Sequence, residues 1–564
     1  MIKGKGISKG IGFGKVFIFE KRKRKIKKVI VENSENELEK FKTALNKVEK
    51  EIEETIQQSS GTEKEIMNAY LMILKDPTLV IETENLIKNL KYNAEYAIEE
   101  GFNKIIEMFK KINDEYMAER AKDIIDIKEK LLDKILKDEN IKLNKLPQNI
   151  IIVAKELTTS ETAKLDFKNV SGIITEIGGV NSHTAIMART HSIPLITEIH
   201  NINEIFNNEQ YICMNGSTGE IFINPTKEEE NNLLEQQKLI EEEKNKLEEY
   251  KNKETKTKDG FKVELASNIG IPSDVEKVIE STAEGIGLFR TEFLYMDNEK
   301  MPTEEEQFLS YKEVAEKMQG KPVIIRTLDV GGDKEIKYLN LPKEENPFLG
   351  FRAIRICLAN IEMFKIQLRA ILKASAYGNI SIMIPMISSI EELRKTKQIV
   401  EECKKELQEK NIKFKKDIKL GIMIEIPSTA IMAEQFAKEC DFFSIGTNDL
   451  IQYTVAVERG NEKISNLYSK YNPAVIRLIK MAIDGAHKEG IFCGMCGEVA
   501  GDSKFIPILV GMGLDEFSMN SNKILQARKV ITNLEKKQCE ELVENIIKLD
   551  SSNKIKEELE NFKK

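Results

Sequence analysis

The chain has 564 residues, 41% of them hydrophobic and 32% charged, with a formal net charge of −7. That length exceeds one ordinary core and implies several domains, while the modest, mixed charge argues against a nucleic-acid or membrane surface. No run approaches the roughly 20 apolar residues that span a bilayer, the opening Met-Ile-Lys-Gly-Lys-Gly lacks a signal-peptide core, and the seven scattered cysteines read as reduced thiols, so a cytoplasmic location is expected.

Residues 11–19 (Ile-Gly-Phe-Gly-Lys-Val-Phe-Ile-Phe) predict a short strand. From about residue 33, Leu38, Phe41, Leu45, Val48 and Ile52 recur every three or four positions among Glu and Lys, an amphipathic helix. Helical periodicity continues to about Leu143, with breaks at Gly61 and near Pro77. Ile150–Ala154 and Gly172–Thr175 are short apolar runs bounded by turn residues, hence buried strands. Residues 226–255 are almost wholly Glu, Lys, Asn and Leu and predict a polar helix of the kind that joins domains. Beyond Thr257, eight apolar runs start near Val263, Gly285, Val323, Ile380, Leu420, Phe442, Phe492 and Glu516, most of them followed by helical periodicity. That alternation fits a (β/α)8 barrel, with an open doubly wound sheet as the alternative that a strand count leaves open.

Residues 178–190 read Gly-Gly-Val-Asn-Ser-His-Thr-Ala-Ile-Met-Ala-Arg-Thr. A strand ending at Ile177, a Gly-Gly turn and a helical stretch from Thr184 put His183 in the first turn of a helix. Unpaired backbone N–H groups and the positive dipole end there disfavour imidazolium and favour an attached phosphoryl group. The other three histidines, His191, His200 and His487, lack such a setting and read as ordinary core or surface residues.

In the C-terminal half, charged residues cluster at strand ends. Arg290 closes Gly-Ile-Gly-Leu-Phe-Arg, Arg326 lies on Val-Ile-Ile-Arg, Glu425 ends Gly-Ile-Met-Ile-Glu, and Asn448-Asp449 follow Phe-Phe-Ser-Ile-Gly-Thr. Cys496 sits in Cys-Gly-Met-Cys-Gly-Glu, and Arg459 lies one helical stretch beyond Asp449. The C-terminal ends of barrel strands are where such folds place their chemistry. Arginine forks suit phosphate and carboxylate, the pair Glu425 and Asp449 suits Mg²⁺, and phosphoryl transfer needs little beyond such positioning and charge neutralisation. Cys493 and Cys496 form a Cys-x-x-Cys, but on a strand residues three apart face opposite ways, so neither a zinc nor a redox role is expected. By composition alone Cys496 is a small buried hydrophobe.

These segments resemble a known family. Gly-Gly-x-x-Ser-His-Thr-x-Ile-Met-Ala-Arg resembles the phosphohistidine signature shared by enzyme I of the bacterial phosphoenolpyruvate-dependent sugar phosphotransferase system, pyruvate phosphate dikinase and phosphoenolpyruvate synthase. Gly-Leu-Phe-Arg-Thr-Glu-Phe-Leu-Tyr-Met-Asp, Pro-Lys-Glu-Glu-Asn-Pro-Phe-Leu-Gly, Phe-Phe-Ser-Ile-Gly-Thr-Asn-Asp-Leu-Ile-Gln-Tyr and Gly-Met-Cys-Gly-Glu-Val-Ala-Gly-Asp are similar to enzyme I over essentially the whole chain. Too little chain precedes His183 for the nucleotide-binding domain of the dikinases and synthases, and no Gly-x-x-x-x-Gly-Lys-Ser/Thr loop is present, which sets aside a dikinase-like enzyme. A non-catalytic regulatory paralogue is disfavoured because the motif positions keep their functional groups.

The resemblance implies a multidomain α/β protein. A phosphohistidine α/β domain (1–32 and 144–224) would hold an inserted helical bundle (33–143) that binds the phosphocarrier HPr; a linker helix (225–256) and a barrel (257–564) that binds phosphoenolpyruvate and forms a homodimer would follow. It implies phosphorylation of His183, with Thr162 holding the ring. Phosphoenolpyruvate would be bound by Arg290, Arg326, Asn448, Asp449 and Arg459, with Arg352 nearby, Mg²⁺ by Glu425 and Asp449, and Cys496 would donate a proton to the enolate. One departure stands out: Tyr70 replaces a His usual in this family, and Pro77 and Thr78 replace acidic residues, which alters the charge pattern expected for carrier recognition.

Overall fold

The computed structural model describes residues 1–19, 26–58, 61–110, 115–136, 146–179, 182–296, 300–332, 336–339, 341–459 and 461–562. Two compact units emerge, Met1–Glu243 and Lys244–Lys564. The expected boundary at residues 143/144 and the motif residues Val180 and Asn181 lie outside the described residues.

The first unit contains an eight-stranded sheet: β1 (Ile2–Lys3), β2 (Lys5–Ser8), β3 (Ile11–Phe19), β4 (Ile150–Ala154), β5 (Val170–Thr175), β6 (Leu195–Thr197), β7 (Tyr211–Asn215) and β8 (Glu220–Ile223), in the order β1-β8-β7-β3-β4-β5-β6-β2. Strands β3 to β6 run parallel. Both faces of β4 are covered, which is why its sequence is an unbroken apolar run. Ile150 and Ile152 pack on one side with Leu157 and Ala185, while Ile151 and Val153 pack on the other with Ile174 and Phe206. Strand β5 ends at Thr175, two residues before the expected Ile177, so Glu176–Gly179 form the loop ahead of the histidine helix.

Between β3 and β4 lies a bundle of α1 (Ser34–Gln58), α2 (Gly61–Leu74), α3 (Pro77–Leu90), α4 (Ala94–Lys110) and α5 (Glu115–Leu136). Gly61 and Pro77 are indeed the first residues of helices; Asp76 caps α3 by accepting from the Thr78 N–H at 2.7 Å, and Pro77 supplies the fixed φ of a first helical position. Phe41, Val48 and Ile52 are buried against Ile98 and Leu131, as the periodicity of α1 requires. Tyr70 is buried too, and its hydroxyl donates to the buried carboxylate of Asp126. Its neighbours divide: Ile73 joins the core, whereas Met72 is 74% exposed. The position where the family usually has His therefore points inward in this chain.

The second unit is a closed barrel of eight parallel strands: β9 (Glu264–Ile269), β10 (Gly285–Arg290), β11 (Val323–Arg326), β12 (Ile380–Ile384), β13 (Lys419–Ile424), β14 (Phe442–Ile445), β15 (Phe492–Met495) and β16 (Glu516–Met519). Pairing of β16 with β9 (Glu516 with Glu264, Phe517 with Leu265) closes it and rules out the open-sheet alternative. Alternate residues divide between two cores. Ile325, Ile382, Ile422, Phe443 and Cys493 face the surrounding helices, and Leu288, Ile324, Met383, Met423 and Cys496 fill the interior. The two cysteines of Cys-x-x-Cys thus face opposite ways.

Candidate active site

Helix α7 (His183–Thr190) begins at the histidine itself. Ser182 is its cap, with extended backbone and an Oγ that accepts from the Ala185 N–H at 3.2 Å, so His183 takes the first helical position. The N–H groups of that first turn lack carbonyl partners within the helix, which makes the position a natural anion seat. The structure describes His183 by its backbone. Around it, a capping box fixes the short helix α6 (Thr159–Ala163): Thr158 Oγ1 accepts from the Glu161 N–H at 3.3 Å, and the Glu161 carboxylate accepts from the Thr158 N–H at 2.8 Å. That helix carries Thr162, whose hydroxyl donates to the Thr158 carbonyl at 2.8 Å and lies 3.1 Å from the Thr184 hydroxyl. Thr162 and His183's neighbour Thr184 are thereby brought together. A small cleft opens here, lined by Glu156, Thr175, Gly178, Gly179, Ser182 and Thr197. A methyl group on Gly179 would meet nothing within 4 Å, so this glycine leaves an approach to the helix start uncovered instead of relieving a clash. The remaining histidines have ordinary surroundings. His191 stacks on Phe167 with ring centroids 4.1 Å apart, His487 pairs with Asp515 at 2.9 Å, and His200 is exposed.

At the C-terminal end of the barrel the structure brings together Arg290, Arg326, Arg352, Glu425, Asp449 and Cys496. Arg326 is buried; its Nη2 lies 2.6 Å from Glu292 and its Nη1 lies 3.0 Å from Asp329, while its Nε has no partner among the described residues. Arg352 makes a second bridge. Its Nε and Nη2 donate to Asp329 at 3.0 and 3.3 Å, and Nη2 and Nη1 donate to Asp449 at 3.0 and 3.4 Å. Nη1 also donates to the Tyr453 hydroxyl at 3.0 Å, which in turn donates to the Phe348 carbonyl at 2.5 Å. Burial would discourage charge on either arginine, but carboxylates outweigh it: Glu292, Asp329 and Glu425 for Arg326, and Asp329, Asp449 and Glu425 for Arg352. Arg290 differs. Burial and the positive charge of Arg326 depress its pKa, and it has no hydrogen bond to the described residues, so it is the guanidinium with most to gain from an incoming anion.

Glu425 follows β13 and is buried, with one oxygen accepting from the Met386 N–H at 2.6 Å. Burial, then the nearby charges of Asp449 and Asp329, push its pKa well up, against the pull of Arg352 and Arg326. A buried carboxylate whose proton affinity a neighbouring carboxylate raises is half of a donor pair that a divalent cation would relieve. Among the described residues no group of three or more His, Cys, Asp or Glu side chains forms a fuller cage, and Mg²⁺, which keeps water and takes ligands from its substrate, does not need one. Asn448 and Asp449 lie in the first turn of the helix Thr447–Val455, and the Asn448 carbonyl accepts from the Tyr468 hydroxyl at 3.0 Å. Arg459 stands at the rim, exposed and paired with Glu498 at 2.5 Å. Cys496, one residue past β15, is 3% exposed; burial raises its thiol to about 11, opposed by the Ser444 hydroxyl and by Arg326.

The sequence reading passed over Glu292, Asp329 and Tyr453. The signal for the first two was proximity: Glu292 is two residues past Arg290, and Asp329 three past Arg326, so each lies just beyond the end of a strand.

The chain is similar to known proteins along its whole length. The family model of the phosphoenolpyruvate-binding domain of phosphoenolpyruvate-utilising enzymes matches residues 244–536, the model of their N-terminal domain residues 3–120, and that of their mobile domain residues 146–219. The chain is 47% identical over 560 residues to a phosphoenolpyruvate-protein phosphotransferase of Priestia megaterium, covering 98% of this chain and 97% of that one. It is 45% identical over 567 residues to the protein of the same name from Staphylococcus carnosus (strain TM300), covering 100% and 99%. A solution structure of Enzyme I (nEIt) protein is 31% identical and covers 43% of this chain and 100% of its own, with a TM-score of 0.38. With relatives of one name matched from end to end, the chain belongs to the phosphoenolpyruvate-protein phosphotransferase family of phosphoenolpyruvate-utilising enzymes.

Proposed function

We propose that the chain transfers the phosphoryl group of phosphoenolpyruvate to His183 and then to a histidine of the phosphocarrier HPr, releasing pyruvate in the cytoplasm as the first step of sugar uptake. The observation that carries this reading is the set of buried guanidiniums facing Glu425 and Asp449 at the C-terminal end of the barrel. Arg290 and Arg326, the first without a hydrogen bond and the second with a free Nε among the described residues, take the phosphate and carboxylate of the substrate. Arg459 leaves Glu498 to join them from the rim, and Asn448 completes the binding set. Glu425 and Asp449 would hold Mg²⁺, which supplies neutralisation of charge on the transferring phosphoryl group. The His183 backbone position, at a helix start with uncovered approach, accommodates the phosphoryl group once transferred. Departure of phosphate leaves pyruvate enolate, and Cys496, held as a neutral thiol by burial, gives its proton to C3.

The bundle of α1 to α5 is the surface we assign to HPr, with Met72 exposed on it and Tyr70 withdrawn from it. Homodimerisation is assigned to the barrel, residues 257–564. The test is incubation with labelled phosphoenolpyruvate, Mg²⁺ and purified HPr, following label and pyruvate together. Acid-labile label should appear on the parental chain and pass to HPr with one pyruvate per transfer. Retained labelling of a folded His183→Ala protein would exclude the assignment.

A further inference from the structure

The barrel interior holds polar groups that the reaction above leaves unused. Ser444 on β14, Gly494 on β15 and Glu516 on β16 are register partners on three adjacent strands. Their strand neighbours Phe443, Cys493 and Phe517 pack in the outer core, so alternation turns all three inward, toward the cluster that contains Cys496. Ser444 and Glu516 are buried, and neither the Ser444 Oγ nor the Glu516 Oε1 has a hydrogen-bond partner among the described residues. A carboxyl buried without a partner is held in its neutral, proton-carrying form. Burial, with Glu264 and Asp515 nearby, raises Glu516 to about 8.

Two glycines make the space these groups share. A methyl on Gly494 would lie 3.0 Å from Glu516 Oε1, and one on Gly287 would lie 2.4 Å from that oxygen and 2.5 Å from Ser518 Oγ. The Ser518 hydroxyl donates to Asn268 Oδ1 at 2.6 Å, and Asn268 Nδ2 donates to the Cys496 carbonyl at 2.9 Å, which fixes the cysteine at the upper end of the same interior. The Ser444 hydroxyl lies beside the Cys496 thiol and favours its thiolate. One inward-facing polar line thus runs from a carboxyl at the lower end of the barrel to a thiol at its catalytic end.

The chemistry supplies a reason for such a line. A cysteine that protonates C3 in every turnover is left as a thiolate, and at 3% exposure Cys496 has little access to bulk water. We propose that Glu516 is the internal acid that returns a proton to Cys496, with the Ser444 hydroxyl as relay. This rests on the function proposed above. The Cys496 S–H bond breaks as the C3–H bond of pyruvate forms. The thiolate then takes the Ser444 hydroxyl proton, and Ser444 is replenished from the Glu516 carboxyl through water in the space beside Gly494. The net products are a thiol, an unchanged serine and a Glu516 carboxylate, which regains its proton from solvent at the lower rim, where its register partner Glu264 is exposed. Transfer runs downhill, since the buried thiol holds a proton more tightly than the buried carboxyl.

Full-length Glu516→Gln keeps the size of the side chain and removes its acid. With phosphoenolpyruvate, Mg²⁺ and excess HPr, its first turnover of pyruvate should match the parental rate, because Cys496 starts protonated. The steady-state kcat should fall at least tenfold with KM unchanged, and the decline of parental kcat above about pH 8 should disappear. Ser444→Ala should show the same split between first and later turnovers, and serves alone if the Gln variant fails to fold. Parental steady-state rates, or a first turnover slowed as much as later ones, would overturn the relay. A parental protein that forms no pyruvate would instead overturn the proposed function.

Discussion

Asp329→Asn should make the barrel less stable and its anion site tighter at once. Asp329 is 1% exposed and lies between two buried guanidiniums, 3.0 Å from Arg326 Nη1 and 3.0 Å from Arg352 Nε. Asparagine keeps the shape but withdraws the charge, and breaking a buried pair from one side costs roughly 3–5 kcal/mol. Taking the lower figure, because hydrogen bonding to the amide oxygen survives, the barrel's melting temperature should fall by about 6 °C, at about 2 °C per kcal/mol for a domain of this size. The same substitution removes a resident competitor of the substrate. One negative charge about 6 Å from a bound anion is worth about 3 kcal/mol at an effective dielectric near 20, so affinity for oxalate, a dianion resembling the enolate, should rise at least tenfold. Calorimetric melting and oxalate titration of the same preparation check both signs. An unchanged melting temperature, or weaker oxalate binding by a folded variant, would refute the view of Asp329 as the anion that holds both arginines ready.

Three further outcomes follow from the same structure. The Cys496 thiol, raised to about 11 from 9.0, should ionise in the native protein some two pH units later than in the unfolded chain; alkylation of native Cys496 should keep rising tenfold per unit past pH 9, where the denatured protein levels off, and stability should decline between those two values because the unfolded state sheds the proton first. Tyr70→Phe removes one donor to the buried Asp126 carboxylate and should cost the bundle about 1–3 kcal/mol in denaturant unfolding, with HPr affinity unaltered because the residue faces inward. A fragment ending near Lys253 carries His183 and the bundle but none of the barrel arginines, so it should exchange phosphate with phospho-HPr and take none from phosphoenolpyruvate, as a label-transfer gel would show.

The strands of the barrel were legible because each is buried on both faces and reads as an apolar run. The expected starts at Val263 and Leu420 differ from the observed Glu264 and Lys419 by one residue. Closure was not legible, since pairing of β16 with β9 joins residues some 250 positions apart and leaves no local trace. His183 could be placed from the Gly-Gly turn and the helical stretch that follows it, because both are short-range signals; the cap by Ser182 is a finding of the structure. Arg290, Arg326, Glu425 and Cys496 were visible as charged or reactive residues at strand ends. Asp329 and Glu516 were not, for a carboxylate's role depends on which cations share its burial, and periodicity says nothing of that. Tyr70 shows the same limit: four consecutive apolar residues follow it, so periodicity leaves its direction open, and the bond from its hydroxyl to the Asp126 carboxylate shows that it faces inward.

The helix Lys227–Glu248 is anchored unevenly. Its early turns are tied down: Leu233 is buried against Ile11 and Cys213, Glu230 accepts from the Tyr211 hydroxyl at 2.7 Å, and Asn215 donates to Gln236 at 3.2 Å. Beyond that, Leu239 and Ile240 are 63% and 51% exposed, and Glu241, Glu242 and Glu243 follow them. Isolated helical turns are marginal in water without packing. Amide protons should therefore exchange slowly up to about Gln236 and much faster from Leu239 onward, making one continuous helix behave as a firm stem with a tip that melts and reforms on its own.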